Sequence, residues 1–150
     1  MAQTENALSF VDADVEISTD GTVWTDISGF TNSVGIDGGD RATSEFFTLD
    51  GDTPIVTKGK RGLINVTVSA LYTEEDGEPY DIVSGVVEAN GNLYVRWAPL
   101  GTGSGNLRFT TTKGIIVSPV FPAGAADSAD AVPLEFTVRV GAVNKAAIAP

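Results

Sequence analysis

Residues 63–73 read LINVTVSALYT. Side chains alternate between the two faces of an extended chain. Ile64, Val66, Val68, Ala70 and Tyr72 therefore share one face, and Asn65, Thr67 and Ser69 the other, with Leu63 and Leu71 at the ends. This is a strand with one buried face. Its opposite face is polar but carries no charge, which is unusual for a face open to bulk solvent. That face is expected to be semi-buried or to line something.

Working outward, residues 92–98 (NLYVRWA) and 132–140 (VPLEFTVRV) alternate in the same way. Leu93, Val95 and Trp97 point inward in the first; Leu134, Phe136, Val138 and Val140 do so in the second. Residues 14–27 (DVEISTDGTVWTDI) read as a hairpin turning at Thr19-Asp20-Gly21, with Val15, Ile17, Val23 and Ile27 inward. NLRFTTT (106–112) and IIVSPVF (115–121) flank Lys113-Gly114 and read as another hairpin. Residues 79–90 carry the one helix signal. Pro79 suits the first turn, Asp81 the positive end of the dipole, and Ile82, Val83, Val86 and Val87 form an apolar stripe ending at Asn90-Gly91. Residues 28–42 read as turn-rich, 1–13 as an N-terminal arm, 122–131 as a surface loop and 141–150 as a small-residue tail. The sum is a single mainly β domain over 1–150: an antiparallel β-sandwich or barrel of about eight strands with one flanking helix.

The stretch 37–62, DGGDRATSEFFTLDGDTPIVTKGKRG, fits neither a solvated loop nor a core strand. It holds four of nine basic residues (Arg41, Lys58, Lys60, Arg61) and five of twenty acids (Asp37, Asp40, Glu45, Asp50, Asp52). Phe46, Phe47 and Leu49 sit among these charges. TSEFFTL and IVTK read as short strands of a projecting hairpin, with Asp50-Gly-Asp52 as the turn. Such a segment docks on something, either its own domain or another subunit.

The chain has no cysteine and no histidine, and a formal net charge of −11. Thiol chemistry, the commonest general base and the commonest transition-metal ligand are all missing, so an enzyme is disfavoured. A strongly acidic surface repels nucleic acid and anionic membranes. No apolar run reaches the ~20 residues of a membrane span. MAQTENALSF has no positive charge ahead of its apolar residues, so a secretory signal is not expected. The chain reads as soluble and intracellular when made.

The other motifs favour bland readings. Asp37-Gly-Gly-Asp40 and Asp50-Gly-Asp52 look like fragments of calcium loops, but position 61 is Arg where an EF-hand starting at Asp50 needs Glu. They are read as turns. Glu74, Glu75, Asp76, Glu78 and Asp81 precede or begin the helix and are read as a solvated, dipole-favoured cluster rather than a catalytic pair. Gly101-Thr-Gly-Ser-Gly105 lacks the Lys-Ser/Thr of a phosphate loop. No cofactor or metal is expected.

The segment Gly39-Asp-Arg-Ala-Thr-Ser-Glu-Phe-Phe-Thr-Leu49, then Gly51-Asp52 and Gly59-Lys-Arg61 entering the long strand, resembles the tail tube (major tail) proteins of long-tailed, siphophage-type bacteriophages. The helix after that strand and FTTTKGIIVSPVFPAG (109–124) fit as well. The resemblance implies a subunit of hexameric rings that stack into the virion's tail tube, assembled in the host cytoplasm, through which DNA passes without specific binding. Neighbouring subunits join their sheets around the lumen. A long loop and the termini bridge subunits, and the tape measure, tail terminator and tail tip proteins are the implied partners. An added immunoglobulin-like domain, which some members carry, is not expected after the short C-terminal tail.

On this reading Asp37, Asp40, Arg41, Phe46, Phe47, Asp50, Asp52, Lys58, Lys60 and Arg61 form the inter-subunit contact, with the two phenylalanines as anchors. Asn65, Thr67 and Ser69 line a lumen or a seam. Two other readings use the same features. An immunoglobulin-like adhesion or carbohydrate-binding module would use Trp24, Tyr94 or Trp97 as stacking platforms and fold the 37–62 loop back on its own domain. A head decoration or head–tail joining protein would form trimers or a single ring.

Overall fold

The computed structural model describes residues 2–150. The chain runs β1 (Asp14–Ser18), β2 (Thr25–Asp26), β3 (Thr31–Gly38), β4 (Arg41–Phe46), β5 (Ile55–Arg61), β6 (Ile64–Leu71), α1 (Pro79–Glu88), β7 (Tyr94–Ala98), β8 (Leu107–Thr111), β9 (Ile115–Ile116), β10 (Pro133–Val140) and β11 (Val143–Ala147). All strand pairs are antiparallel. One sheet has the order β11-β8-β7-β1-β2, a second β3-β6-β10-β9, and β4-β5 stand apart as a two-stranded ribbon. This is a sandwich with a flanking helix; the described sheets do not close into a barrel.

Alternation along the strands builds the core. Val66 and Val68 of β6 and Leu134, Phe136, Val138 and Val140 of β10 face Val15 and Ile17 of β1 and Val95 and Trp97 of β7, all buried. Trp97 stacks on Phe109 with ring centroids 5.8 Å apart. Helix α1 covers one side through Val83 and Val86, and Tyr80 meets Tyr72 edge-on at 4.8 Å. Arg96 and Glu16 lie opposite each other on the outer face of the first sheet and form an ion pair, and the Arg96 guanidinium sits 4.2 Å over the ring of Trp24.

The structure departs from the sequence reading in five places. Residues 31–38, expected to be turns, form β3. Its glycines 35 and 38 mimic a loop, yet its register against β6 is continuous from Ser33↔Ser69 to Gly38↔Ile64. The 14–27 hairpin is shorter than expected: only Thr25 and Asp26 pair with β1, and Val23 is exposed rather than inward. Residues 106–112 and 115–121 are not hairpin partners. β8 pairs with β7 and β11, whereas β9 pairs with β10 in the other sheet.

Gly114 explains that crossing. It exchanges backbone hydrogen bonds with Leu93 (3.0 and 3.2 Å), and a side chain there would collide with Val138 and Val140. Residues 143–147, expected to be tail, form β11 on the edge of β8. The strands therefore number eleven among the described residues, not about eight.

Core and ribbon aromatics should behave oppositely. Phe136 is fully buried and Phe47 exposed. Phe136→Ala is expected to cost about 3–5 kcal/mol; Phe47→Ala should stay within about 0.5 kcal/mol of wild type. Urea denaturation of the dilute monomer measures both.

Candidate assembly surface

The ribbon is not a separate insertion. β4 continues β3 and β5 leads into β6, so residues 31–71 form one long hairpin with a bend. Across the bend the ladder persists: Gly39 N–H donates to Leu63 O (3.0 Å) and Gly62 N–H donates to Asp40 O (2.9 Å). Gly38 and Gly39 have φ of +83° and +82°, in the left-handed region that side chains resist. A Cβ on Gly38 would land on the Leu63 carbonyl oxygen, and one on Gly39 would lie 2.9 Å from Ile64 Cγ1. The near half of the hairpin belongs to the four-stranded sheet. The far half leaves it.

Every residue of β4 and β5 is exposed. Phe46 and Ile55 lie directly opposite each other, 67% and 55% exposed, and Phe47, Leu49 and Val56 are exposed with them. Glu45 pairs with Val56 and Thr43 with Lys58. A bulge at Gly59-Lys60 lets Arg41 face Arg61, and Arg41 Nη1 donates to the Gly59 carbonyl at 3.1 Å. Like charges opposite one another on a ladder repel. Among the described residues the sole ion pair is that of Arg96 and Glu16, so Arg41, Lys58, Lys60 and Arg61 have no carboxylate partner within the chain. Asp40 sits at the bend and Asp50 and Asp52 in the connecting turn. Asp37 is on β3, where it caps its neighbour's N–H (Gly38 N to Oδ1, 2.9 Å). The residues expected in the assembly contact are thus divided between ribbon and sheet, with Asp37 on the sheet.

The second candidate surface is the outer face of β3-β6-β10. Register places Asn65 between Asp37 and Arg139, Thr67 between Gly35 and Thr137, and Ser69 between Ser33 and Glu135. Rungs of hydrogen bonds cross it. Arg139 Nε donates to Asn65 Oδ1 (3.1 Å), the hydroxyls of Thr67 and Thr137 lie 3.0 Å apart, and Ser69 Oγ donates to Glu135 Oε2 (3.4 Å). Asn65, Thr67 and Ser69 are half-buried by their neighbours rather than by a covering layer. Reading one strand at a time found these three residues and the outward trio of β10. On this face it missed Ser33 and Gly35, whose strand the glycines disguised, and it put Asp37 in the ribbon contact instead; the alternation of Val34 and Ile36 was the available signal.

Two free edges flank this sheet. β3 has no outer neighbour, and β9 pairs only with Val138 and Arg139, leaving β10 open from Pro133 to Thr137. Exposed Val132 precedes β10 and exposed Val117 follows β9 at that second edge.

Geometry of this kind has solved counterparts. A chain of the sheath–tube complex of the PVC extracellular contractile injection system, in its extended state, superimposes with a TM-score of 0.68 over 96% of this chain and 94% of its own, at 17% identity. A chain of the SPP1 tail tube gives 0.70 over 96% and 81%, at 11% identity. The tail of a gene transfer agent particle, refined with helical C6 symmetry, gives 0.64 over 97% and 99%, at 12% identity. This chain has the tail-tube fold. The likeness lies in the fold alone, since identity is low throughout. No protein-family model matches the sequence, and neither does any curated protein.

The tail-tube fold here carries cations that the monomer does not use. Replacing Lys58, Lys60 and Arg61 together by Glu should therefore leave the monomer's thermal midpoint unchanged or slightly raised, as Arg41 loses its like-charged opposite. Differential scanning fluorimetry of dilute protein checks this. A fall beyond about 4 °C would mean that these cations are used within the chain.

Proposed function

We propose that this chain is a structural subunit of a tail tube and that it polymerises through the β4–β5 ribbon. The observation that carries the reading is that the whole ribbon, with Phe46, Phe47, Leu49, Ile55 and Val56, stands clear of its own domain. A set of large apolar side chains held on an ordered hairpin in water is a binding surface awaiting a partner. A self-contained adhesion module would fold the segment back, and it does not.

The rest of the proposal follows the fold. The free edges of the β3-β6-β10-β9 sheet suit lateral, head-to-tail pairing of subunits into a closed ring, a heterologous contact between two different edges. A ring of six is favoured by the C6 symmetry of the gene transfer agent tail with which the fold is shared. Closing the ring would turn the outer face bearing Asn65, Thr67 and Ser69 toward a lumen. That face holds hydroxyls, an amide, one cation (Arg139) and two carboxylates, Asp37 across Asn65 from it and Glu135 two rungs away. Such a wall offers DNA little counterion-release gain, so a passing duplex would not stick. Asp37, Asp40, Asp50 and Asp52 would lie at the contacts made by ribbon and sheet edge, and the tube's end partners would be tape measure, terminator and tip proteins. The setting is the virion tail, with assembly in the host cytoplasm.

Electron microscopy of the purified chain at rising concentration tests the reading. Rings or tubes are expected from wild type. The triple reversal Lys58→Glu, Lys60→Glu, Arg61→Glu should remain monomeric at concentrations where wild type polymerises, while keeping a native circular dichroism spectrum. A wild-type chain that stays monomeric throughout would favour the binding-module reading instead.

A further inference from the structure

We propose that the ribbon of one copy docks into an apolar groove on helix α1 of another, an inference that rests on the tube reading and names the receiving surface. The groove, about 420 Å³, is lined by Thr19, Asp81, Ile82, Gly85, Val86 and Ala89 and opens to solvent. Positions 81, 82, 85 and 89 fall on one stripe of the helix. Gly85 is one of the lining residues and is exposed. Glycine in a helix interior costs about 1 kcal/mol relative to alanine, so a reason for it is expected. Nothing packed against the helix provides one: apart from its chain neighbours and the helix's own backbone, no atom lies within 4 Å of where its Cβ would sit. The missing side chain keeps the groove open to a group from outside.

Charge identifies that group as the ribbon of a second copy. The groove's surroundings are acidic. Asp81 lines it, Glu88 closes the helix, and Glu74, Glu75, Asp76 and Glu78 fill the turn before it, with no cation in the last helical turn and no ion pair to any of them among the described residues. The ribbon offers the complement on one element: exposed Phe46, Phe47 and Ile55 for the apolar floor, and Arg41, Lys58, Lys60 and Arg61 for the acidic surround. A chain of net charge −11 repels its own copies. Contact between copies therefore favours the one segment where unpaired cations are concentrated.

Two sets of variants test this by sedimentation and electron microscopy. Gly85→Leu fills the groove; it should fold with an unchanged or raised thermal midpoint and raise the critical concentration for tubes at least about tenfold. Ala89→Leu, farther along the same groove, serves if Gly85→Leu is unstable. Separately, Lys58→Glu with Lys60→Glu, and Glu75→Lys with Asp76→Lys, should each impair assembly, and the chain carrying all four changes, with net charge restored to wild type, should regain it. Normal tubes from the groove-filling chain overturn the docking. So does a four-fold variant no better than either pair, which would give the groove to another occupant. A wild-type chain that never assembles would fail the tube reading and this inference with it; tubes without these effects fail the inference alone.

Discussion

The hydrogen-bonded ladder between β3 and β6 runs past the end of the sheet, through Gly39–Leu63 and Asp40–Gly62, into β4 and β5. Everything distinctive about the molecule depends on that continuity. A flexible loop carrying the same residues would lose most of its ordering entropy on docking. A ladder that is already paired loses far less, and its direction is set by the sheet. Two glycines at positive φ make the bend; the sandwich holds its near end in place through Val66 and Val68.

The division of labour between core and surface follows from this. The inner faces of the two sheets are saturated with Val, Ile, Leu and Phe, and among the described residues no buried side-chain polar atom lacks a partner. The domain is complete without its ribbon. The ribbon carries a run of exposed large apolar residues, Phe46, Phe47, Leu49, Ile55 and Val56. A monomer evolved to stay alone covers or charges its sheet edges. In the proposed tube, association of copies would pair the two free edges of the four-stranded sheet and give the like-charged cations of the ribbon partners at the same time.

Strict alternation was the most legible signal. The inward and outward sets of 63–73, 92–98 and 132–140 lie where the period of two puts them, and α1 begins at Pro79 as its dipole and apolar stripe require. What failed was pairing and disguise. Lys113-Gly114 has the look of a hairpin turn, but Gly114 is small because Val138 and Val140 crowd it where the chain crosses between sheets. β3 hid behind Gly35 and Gly38. β11 is a strand because β8 offers it an edge, a fact of tertiary structure absent from VNKAA. At the candidate surface, the odd mixture of phenylalanine, glycine and charge in 37–62 was visible at once. That it is a hydrogen-bonded extension of a sheet was not, because register between β3 and β6 cannot be read without knowing that β3 is a strand.

Hydrogen–deuterium exchange across residues 41–61, compared between dilute monomer and assembled protein, measures the central claim most directly. Ribbon amides should exchange readily in the monomer, where the strands pair only with each other and face solvent. In the assembly their protection should rise by at least about tenfold, with β7 and β10 of the core little changed. Equal exchange of 41–61 in the two states would show that the ribbon is not an assembly element.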